Sequence, residues 1–238
     1  MIRGLYTGAA GMLNQLERYD TIANNLANIG TPGFKRQEAI SSDFPAMLMY
    51  RIRDARDARP TPIGRLGTGA FLAETVTRHD PGTLEDTGNP YDLAIGGAGY
   101  FAIETAAGIR YTRNGNFRVD GDGYLVTASG QYVLGAAGTP LVVSAGWNPS
   151  DVRVVEIADA DLIKEGDNLF RLRDGAAEPE VAVGAQVAGN RLETSNVNPV
   201  MAMVDMMAAM RAYEASQKVV QAMDDTLGKA VNEIARPS

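Results

Sequence analysis

The chain has no cysteine among its 238 residues, so it has neither a disulfide framework nor a thiolate metal site. It has one histidine, His79. A Ser-His-Asp triad would have to use that residue, and a metal centre would have to rest on carboxylates alone. His79 sits in Thr77-Arg-His-Asp-Pro-Gly82, where a strand runs into a turn, and is expected to be an exposed turn histidine. No run of 18 apolar residues occurs, so no membrane-spanning helix is expected. Positive charge is in deficit: 22 Lys and Arg against 29 Asp and Glu give a net charge of −7. Nucleic-acid binding, which needs a clustered basic face, is not expected. The one basic cluster, Arg51, Arg53, Arg56, Arg59 and Arg65, is broken by Asp54 and Asp57 and reads as a solvated or partner-facing segment. The first residues carry one positive charge and then Gly, Thr, Asn, Gln and Glu. That is not the continuous apolar stretch of a cleaved signal peptide, so work outside the cytoplasm would need another exit route.

What is present is a pair of matching ends around an unlike middle. Leu5, Ala9, Met12, Leu16, Tyr19, Ala23 and Leu26 are spaced by alternating steps of four and three, the spacing of a coiled-coil seam. The last forty residues repeat it with Met203, Met206, Met210, Tyr213, Gln217, Val220, Asp224, Leu227, Val231 and Ile234, Gln217 and Asp224 being polar interruptions. The first helix is expected from about Arg3 to Asn28, with Gly30 taking the left-handed conformation that ends it and Pro32 preventing continuation. Gly4, Gly8 and Gly11 lie on one face beside the seam. Each costs about 1 kcal/mol relative to Ala, and their smallness would let a neighbouring helix come close. The second helix is expected to start at Pro199, capped by Asn198, and to run to about Ala235. Its methionines spread over more than one face, more than one partner helix would cover.

Between the helices, residues 41–75 form an intermediate segment rich in Pro and Gly. Within it Phe44–Arg53 is expected to be a short helix and the remainder extended or loop. From Phe71 to about Leu192 strand-like runs follow one another, among them Asp92–Ile95, Tyr100–Glu104, Ile109–Arg113, Asn116–Val119 and Tyr124–Thr127. Gly97-Ala-Gly99, Asn114-Gly115 and Asp120-Gly-Asp-Gly123 separate them, and Asn-Gly and Asp-Gly are strong hairpin signals. The expected fold is α+β. The N- and C-terminal α-helices pair as a coiled-coil-like layer, and the central domain is antiparallel, all-β and partly barrel-like. The expected domains are 1–40, 41–75, 76–192 and 193–238.

Motifs that carry chemistry elsewhere fail here on context. Gly96-Gly-Ala-Gly99 precedes a strand and not a helix, so no helix N-terminus receives a phosphate. Asp120-Gly-Asp-Gly123 lacks the sixth-position glycine of a calcium loop, and its twelfth position is Gln131. Asp120 and Asp122 as a glycosidase pair would share one exposed turn, with no burial to raise either pKa. No catalytic residue, cofactor or metal is expected.

Ala23-Asn-Asn-Leu-Ala-Asn28 followed by Thr31-Pro-Gly-Phe-Lys35 resembles the N-terminal signature of bacterial flagellar rod and hook proteins. Thr87–Ile95 with Gly97-Ala-Gly-Tyr-Phe101, and Tyr111–Phe117 with Asp122–Leu125, resemble their central β-domain. Leu192-Glu-Thr-Ser-Asn-Val-Asn198 with Arg211-Ala-Tyr-Glu214 is similar to their C-terminal signature. The chain's length favours the rod members over the hook protein; Met1–Tyr6 leans to a proximal type and Leu192–Ser195 to a distal one, and both stay open. The resemblance implies a structural subunit of the flagellar basal-body rod, a helical polymer that passes torque from motor to hook. Its partners would be further copies of itself, other rod and hook proteins and the flagellar type III export apparatus, and its place the basal body outside the cytoplasmic membrane. The residues expected to serve assembly are Leu5, Met12, Leu16, Asn24, Asn25, Leu26, Asn28, Phe34, Met206, Met210, Tyr213, Val220, Leu227 and Val231. For the asparagines, one reading is amides bonded to adjacent subunits, and the other is a frayed helix end. The alternative function is a secreted glycan-binding module or glycan-active enzyme with helical oligomerisation arms.

Overall fold

The structure, a computed structural model, describes residues 2–51, 61–143, 147–182 and 184–234. It divides into two compact units, one of residues 1–26, 37–76 and 199–238, the other of 27–36 and 77–198.

The first unit contains the helices α1 (Ile2–Ala27) and α2 (Pro199–Ile234) and the strands β1 (Gln37–Asp43), β2 (Met47–Arg51), β3 (Thr61–Leu66) and β4 (Ala70–Thr77). β1 pairs with β4. β2 pairs antiparallel with β3, Met47 opposite Leu66, with a bulge between Met49 and Tyr50. Residues 52 and 53 lie outside the described residues, and in place of the helix expected over Phe44–Arg53 there is a strand at Met47–Arg51. Its apolar run Met47-Leu-Met-Tyr suits either period, and the partner at 61–66 decides for the sheet. Phe44 is fixed in front of it, its N–H donating to the Gly69 carbonyl at 2.9 Å and its ring 4.9 Å from that of Phe71. The side chains of Arg51, Arg53, Arg56, Arg59, Arg65 and Ile234 lie outside the described residues.

The helices run antiparallel where the three glycines lie. A Cβ on Gly4 would stand 2.9 Å from Met223 Cε, one on Gly8 2.9 Å from Val220 Cγ2, and one on Gly11 3.5 Å from Ser216 Oγ. The register of α2 differs in part from the sequence expectation. Its buried and half-buried positions are Ala202, Met206, Ala209, Ala212, Tyr213, Ser216, Val220, Met223, Leu227 and Ala230, which apart from Ala212 again fall in steps of four and three. Met206, Tyr213, Val220 and Leu227 are thus where the spacing put them. The other line passes through Ala209, Ser216 and Met223, one residue before Met210, Gln217 and Asp224, so Gln217 and Asp224 drop out of the seam and Ser216, its hydroxyl donating to the Ala212 carbonyl, is the polar residue on it. Met210 and Val231 are 47% and 66% exposed, and Leu16 on α1 is 45% exposed, while Leu5, Met12 and Leu26 are half-buried.

The second unit is built on a nine-stranded antiparallel sheet. The strands of this unit, four of them outside that sheet, are β5 (Leu84–Asp86), β6 (Leu93–Gly96), β7 (Tyr100–Thr105), β8 (Gly108–Thr112), β9 (Phe117–Val119), β10 (Leu125–Thr127), β11 (Tyr132–Val133), β12 (Val154–Glu156), β13 (Leu162–Lys164), β14 (Leu169–Leu172), β15 (Glu180–Val181), β16 (Gln186–Gly189) and β17 (Arg191–Glu193). The order is β13-β14-β8-β7-β11-β10-β9, with β12 joining β7 and β15 joining β12; β16-β6 and β17-β5 are separate pairs. This is an open sheet and not the barrel-like closure expected. Both faces are covered: Phe101, Ile103, Leu93, Leu125 and Val133 form one cluster, and Tyr100, Ala102, Tyr111, Val155 and Phe170 the other. That is why Tyr100-Phe-Ala-Ile103 is buried without alternation.

Asp120–Gly123 is the expected hairpin turn, joining β9 to β10, with the Gly123 N–H donating to the Asp120 carbonyl at 3.0 Å. Asn114-Gly115 is not a hairpin, since β8 pairs with β7 and β14 while β9 pairs with β10. Gly115 instead passes directly over Leu93, whose N–H donates to its carbonyl at 3.0 Å and whose own carbonyl any Cβ there would overlap.

Candidate functional site

The sequence motifs quoted above converge on one buried carboxylate in the second unit. Beyond α1 the Thr31 N–H donates to the Asn28 carbonyl at 3.1 Å, closing a turn. The left-handed residue is Gly33, at φ 65°, and not Gly30. Its N–H donates to the Glu193 carbonyl at 2.7 Å, and a Cβ on it would overlap the Arg113 backbone. This reversal buries Phe34 and Lys35. The Lys35 ammonium donates to Glu193 Oε1 at 2.6 Å and to the Asp80 carbonyl at 2.8 Å, and Gly82 N–H donates to the same oxygen at 2.9 Å. The other oxygen, Oε2, takes Arg113 Nε at 2.5 Å. The rest of that guanidinium donates to the Ile95, Gly97 and Gly99 carbonyls. The Gly96–Gly99 loop therefore holds an arginine and not a phosphate.

A second layer ties the same segments. Asn196 Oδ1 accepts the Arg36 N–H at 2.7 Å, and its Nδ2 donates to the Arg78 and Asp80 carbonyls at 2.9 and 3.0 Å. Lys164 lies 3.8 Å over the Phe34 ring and donates to the Lys35 carbonyl at 3.1 Å. Phe34, expected to serve assembly, is thus enclosed within the second unit.

Burial opposes ionisation at each of these groups; the neighbours outweigh it at Glu193 and do not at Lys35 or Lys164. Burial pushes the Glu193 carboxyl up, but the Arg113 charge, the Gly82 N–H and Lys35 together hold it below the usual carboxylate range. Burial brings the Lys35 ammonium down against the pull of Glu193. Burial also brings Lys164 down to about 8. A carboxylate 2% exposed, with both oxygens hydrogen-bonded to distant segments, clamps the chain; Glu193 also contributes to the lining of a cleft with Thr31, Pro32, Thr83 and Thr194. His79 is half-buried and not the exposed turn residue expected. Its Nδ1 is 2.6 Å from the Tyr100 hydroxyl, its ring centroid is 5.6 Å from that of Phe170, and burial lowers its pKa. Among the described residues no group of His, Asp or Glu is placed to hold a metal, and no helix is long and apolar enough to cross a membrane.

The first unit offers surfaces of another kind. Asn25 is buried, and its amide pairs with the Gln37 backbone in both directions, at 2.7 and 2.8 Å. It thereby acts like a strand neighbour inside the subunit. Asn24 is exposed and Asn28 half-buried. On the outer faces Tyr6, Leu13 and Leu16 of α1 and Val200, Met203, Val204, Met207 and Met210 of α2 are exposed.

Sequence reasoning did not single out Lys35, Arg113, Glu193 and Asn196. All four lie inside the quoted motifs, which was the one signal available.

Comparison with known proteins places this arrangement. Residues 5–35 match the family model "Flagella basal body rod protein", residues 94–160 "Flagellar hook protein FlgE/F/G D1 domain" and residues 188–233 "Flagellar basal body rod FlgEFG protein C-terminal". The flagellar basal-body rod protein FlgG of Bacillus subtilis is 33% identical over 98% of this chain and 99% of its own. The flagellar basal-body rod protein FlgF of Caulobacter vibrioides is 31% identical over 99% of both chains. The hook-basal body complex protein FlhO of Bacillus subtilis is 31% identical over 99% of this chain and 100% of its own.

Proposed function

The chain belongs to the family of flagellar basal-body rod proteins, and we propose that it is a structural subunit of that rod, polymerising helically to carry torque from motor to hook. The observation that carries this reading is the pair of helices whose outer faces are apolar. Their inner faces meet at Gly4, Gly8 and Gly11, yet Tyr6 and Leu13 outside are 68% and 62% exposed and Val200 and Met207 are 67% and 54% exposed. A contiguous apolar surface on a water-soluble unit marks a place for further protein. Two such faces on opposite sides suit a subunit with neighbours on both sides, whose head-to-tail contacts do not close. In the polymer the terminal helices form the coiled-coil-like layer, and Leu5, Met12, Leu16, Asn24, Leu26, Asn28, Met206, Met210, Tyr213, Val220, Leu227 and Val231 pack within and between subunits. The divisions 1–40, 41–75, 76–192 and 193–238 describe the order in which those parts are laid along the chain.

The work is mechanical, not catalytic. The buried Lys35–Glu193–Arg113 clasp supports this, because it ties three segments of the second unit that are far apart in sequence. Partners are further copies and other rod and hook proteins, and delivery is by the flagellum's own export apparatus to the basal body. The glycan-directed alternative has no support among the relatives, and its two acids sit in the exposed Asp120–Gly123 turn. Deleting the gene should abolish swimming and leave basal bodies without a complete rod, with both restored by the intact gene. A deletion strain that builds complete basal bodies and swims would overturn the reading.

A further inference from the structure

The stretch between β4 and β5, residues 78–83, belongs to no strand, yet its backbone holds the clasp. The Asp80 carbonyl accepts from the Lys35 ammonium at 2.8 Å and from the Asn196 amide at 3.0 Å. The Arg78 carbonyl accepts from the same amide at 2.9 Å, and the Gly82 N–H donates to Glu193 Oε1 at 2.9 Å. Between those two carbonyls the chain sends one ring inward, that of His79. It lies 5.6 Å from the ring of Phe170, which is fully buried, and edge-on to Tyr100 at 6.1 Å. Burial raises the Tyr100 pKa, so the phenol keeps its proton. Among the described residues the one partner of that hydroxyl is His79 Nδ1, at 2.6 Å. The phenol proton therefore goes to Nδ1, and the neutral imidazole carries its own hydrogen on Nε2.

We propose that His79 is an acid-released pin: its neutral ring holds residues 78–82 on the clasp, and protonation lets that stretch go while the rest of the second unit keeps its core. The inference goes beyond the rod-subunit reading and concerns the second unit alone. A hydrogen on Nδ1 would meet the phenol hydrogen and leave it without an acceptor. The new cation would face two like charges, Lys35 on the segment after α1 and Lys164 on β13. Opposite charge comes from Asp80, next in the chain, and from Asp159 in the short helical turn before β13. β7 presents Tyr100, which feels Asp159, Arg113 and Glu193, and β14 presents the uncharged Phe170. Burial, aided by the two lysines, outweighs the pull of Asp159 and Asp80 and holds the ring below its ordinary 6.5. The released chain thus takes up the proton first as pH falls. Closure is complete above pH 6.5 and weakens below it, by up to about tenfold per pH unit, until the pinned ring titrates too. Glu193 titrates below 4.5 and Lys164 near and above about 8, so the interval between them isolates His79.

The single histidine gives one set of ring signals in an NMR titration of the full-length subunit. Its midpoint should lie below 6.5. Tyr100→Phe removes the hydrogen bond that favours the neutral ring and should raise that midpoint. From about pH 7 to about pH 5.5 the Gly82 amide should exchange more readily, by up to about tenfold per pH unit after correction for intrinsic rates. The amides of β10 should keep their protection over the same interval. His79→Gln supplies an amide oxygen that accepts the Tyr100 hydroxyl and does not titrate, and there the corrected Gly82 exchange should be independent of pH. A His79 midpoint at or above 6.5, equal loss of protection at Gly82 and in β10, or an unchanged pH dependence in His79→Gln would each overturn the pin. The wild-type titration and exchange decide the matter even if His79→Gln folds poorly, and none of these outcomes touches the rod reading.

Discussion

Glu193 keeps one carboxylate between Lys35 and Arg113, its side chain only 2% exposed, and its neighbours set what acid does to the second unit. Its pKa in the folded chain lies below the ordinary 4.5. The unfolded chain therefore takes up the proton first as pH falls, and the stability that Glu193 contributes above pH 4.5 is lost as pH drops through the folded value. Lys164 gives a slope of the same sign at alkaline pH, from burial of a cation and not from pairing of an anion. Its pKa falls from 10.5 to about 8, so between those values the unfolded chain holds more protons and stability rises with pH. Urea unfolding followed across pH should show this rise, and Lys164→Met should reduce it; an unchanged slope would mean that Lys164 is not desolvated. Glu193→Ala would strand two buried cations. The expected loss is about 3–5 kcal/mol, as for other buried pairs broken on one side. Gly33→Ala should also unfold the clasp at lower urea, because its φ of 65° disfavours a side chain and a Cβ would overlap Arg113.

At the scale of elements, the glycines of α1 separate helix propensity from helix packing. Gly11→Ala adds a Cβ at ordinary contact distance, 3.5 Å from Ser216, and should stabilise the helix by up to about 1 kcal/mol. Gly8→Ala gains the same propensity but brings its Cβ to 2.9 Å from a methyl of Val220, a side chain with little freedom to move aside. It should be destabilising relative to Gly11→Ala in thermal melts followed at 222 nm. If the two variants melt alike, the close approach at Gly8 does not exist. These elements also mark where sequence reading succeeds. The four-three spacing revealed both helices, and Asp120-Gly-Asp-Gly123 revealed a real hairpin. The inward register of α2 was misread along one line because Met210 looks more like a core residue than Ala209. Small side chains face inward there, since large ones would hold the helices apart. The β2 strand was hidden by an apolar run that fits both periods. The clasp was hidden by distance: Lys35 and Glu193 are 158 residues apart, and charged residues are rarely fully buried unless paired.

For the whole molecule, the two units predict separable lesions. Leu227 is a half-buried residue of α2 and belongs to the first unit. Leu227→Asp should abolish rod assembly and swimming while the unfolding of the second unit, followed by the Trp147 signal, stays at its wild-type midpoint. A shifted Trp147 transition would mean that the units share one core. The clasp also has a consequence in time. Its charged groups come from positions 35, 113 and 193, so no early part of the chain holds enough of it to close. A chain delivered from its N-terminus would keep Lys35 and Arg113 waiting until Glu193 arrived, with a long loop to shut against its own entropy. The second unit would then lock late and all at once, and the polypeptide would stay pliable for as long as it was in transit.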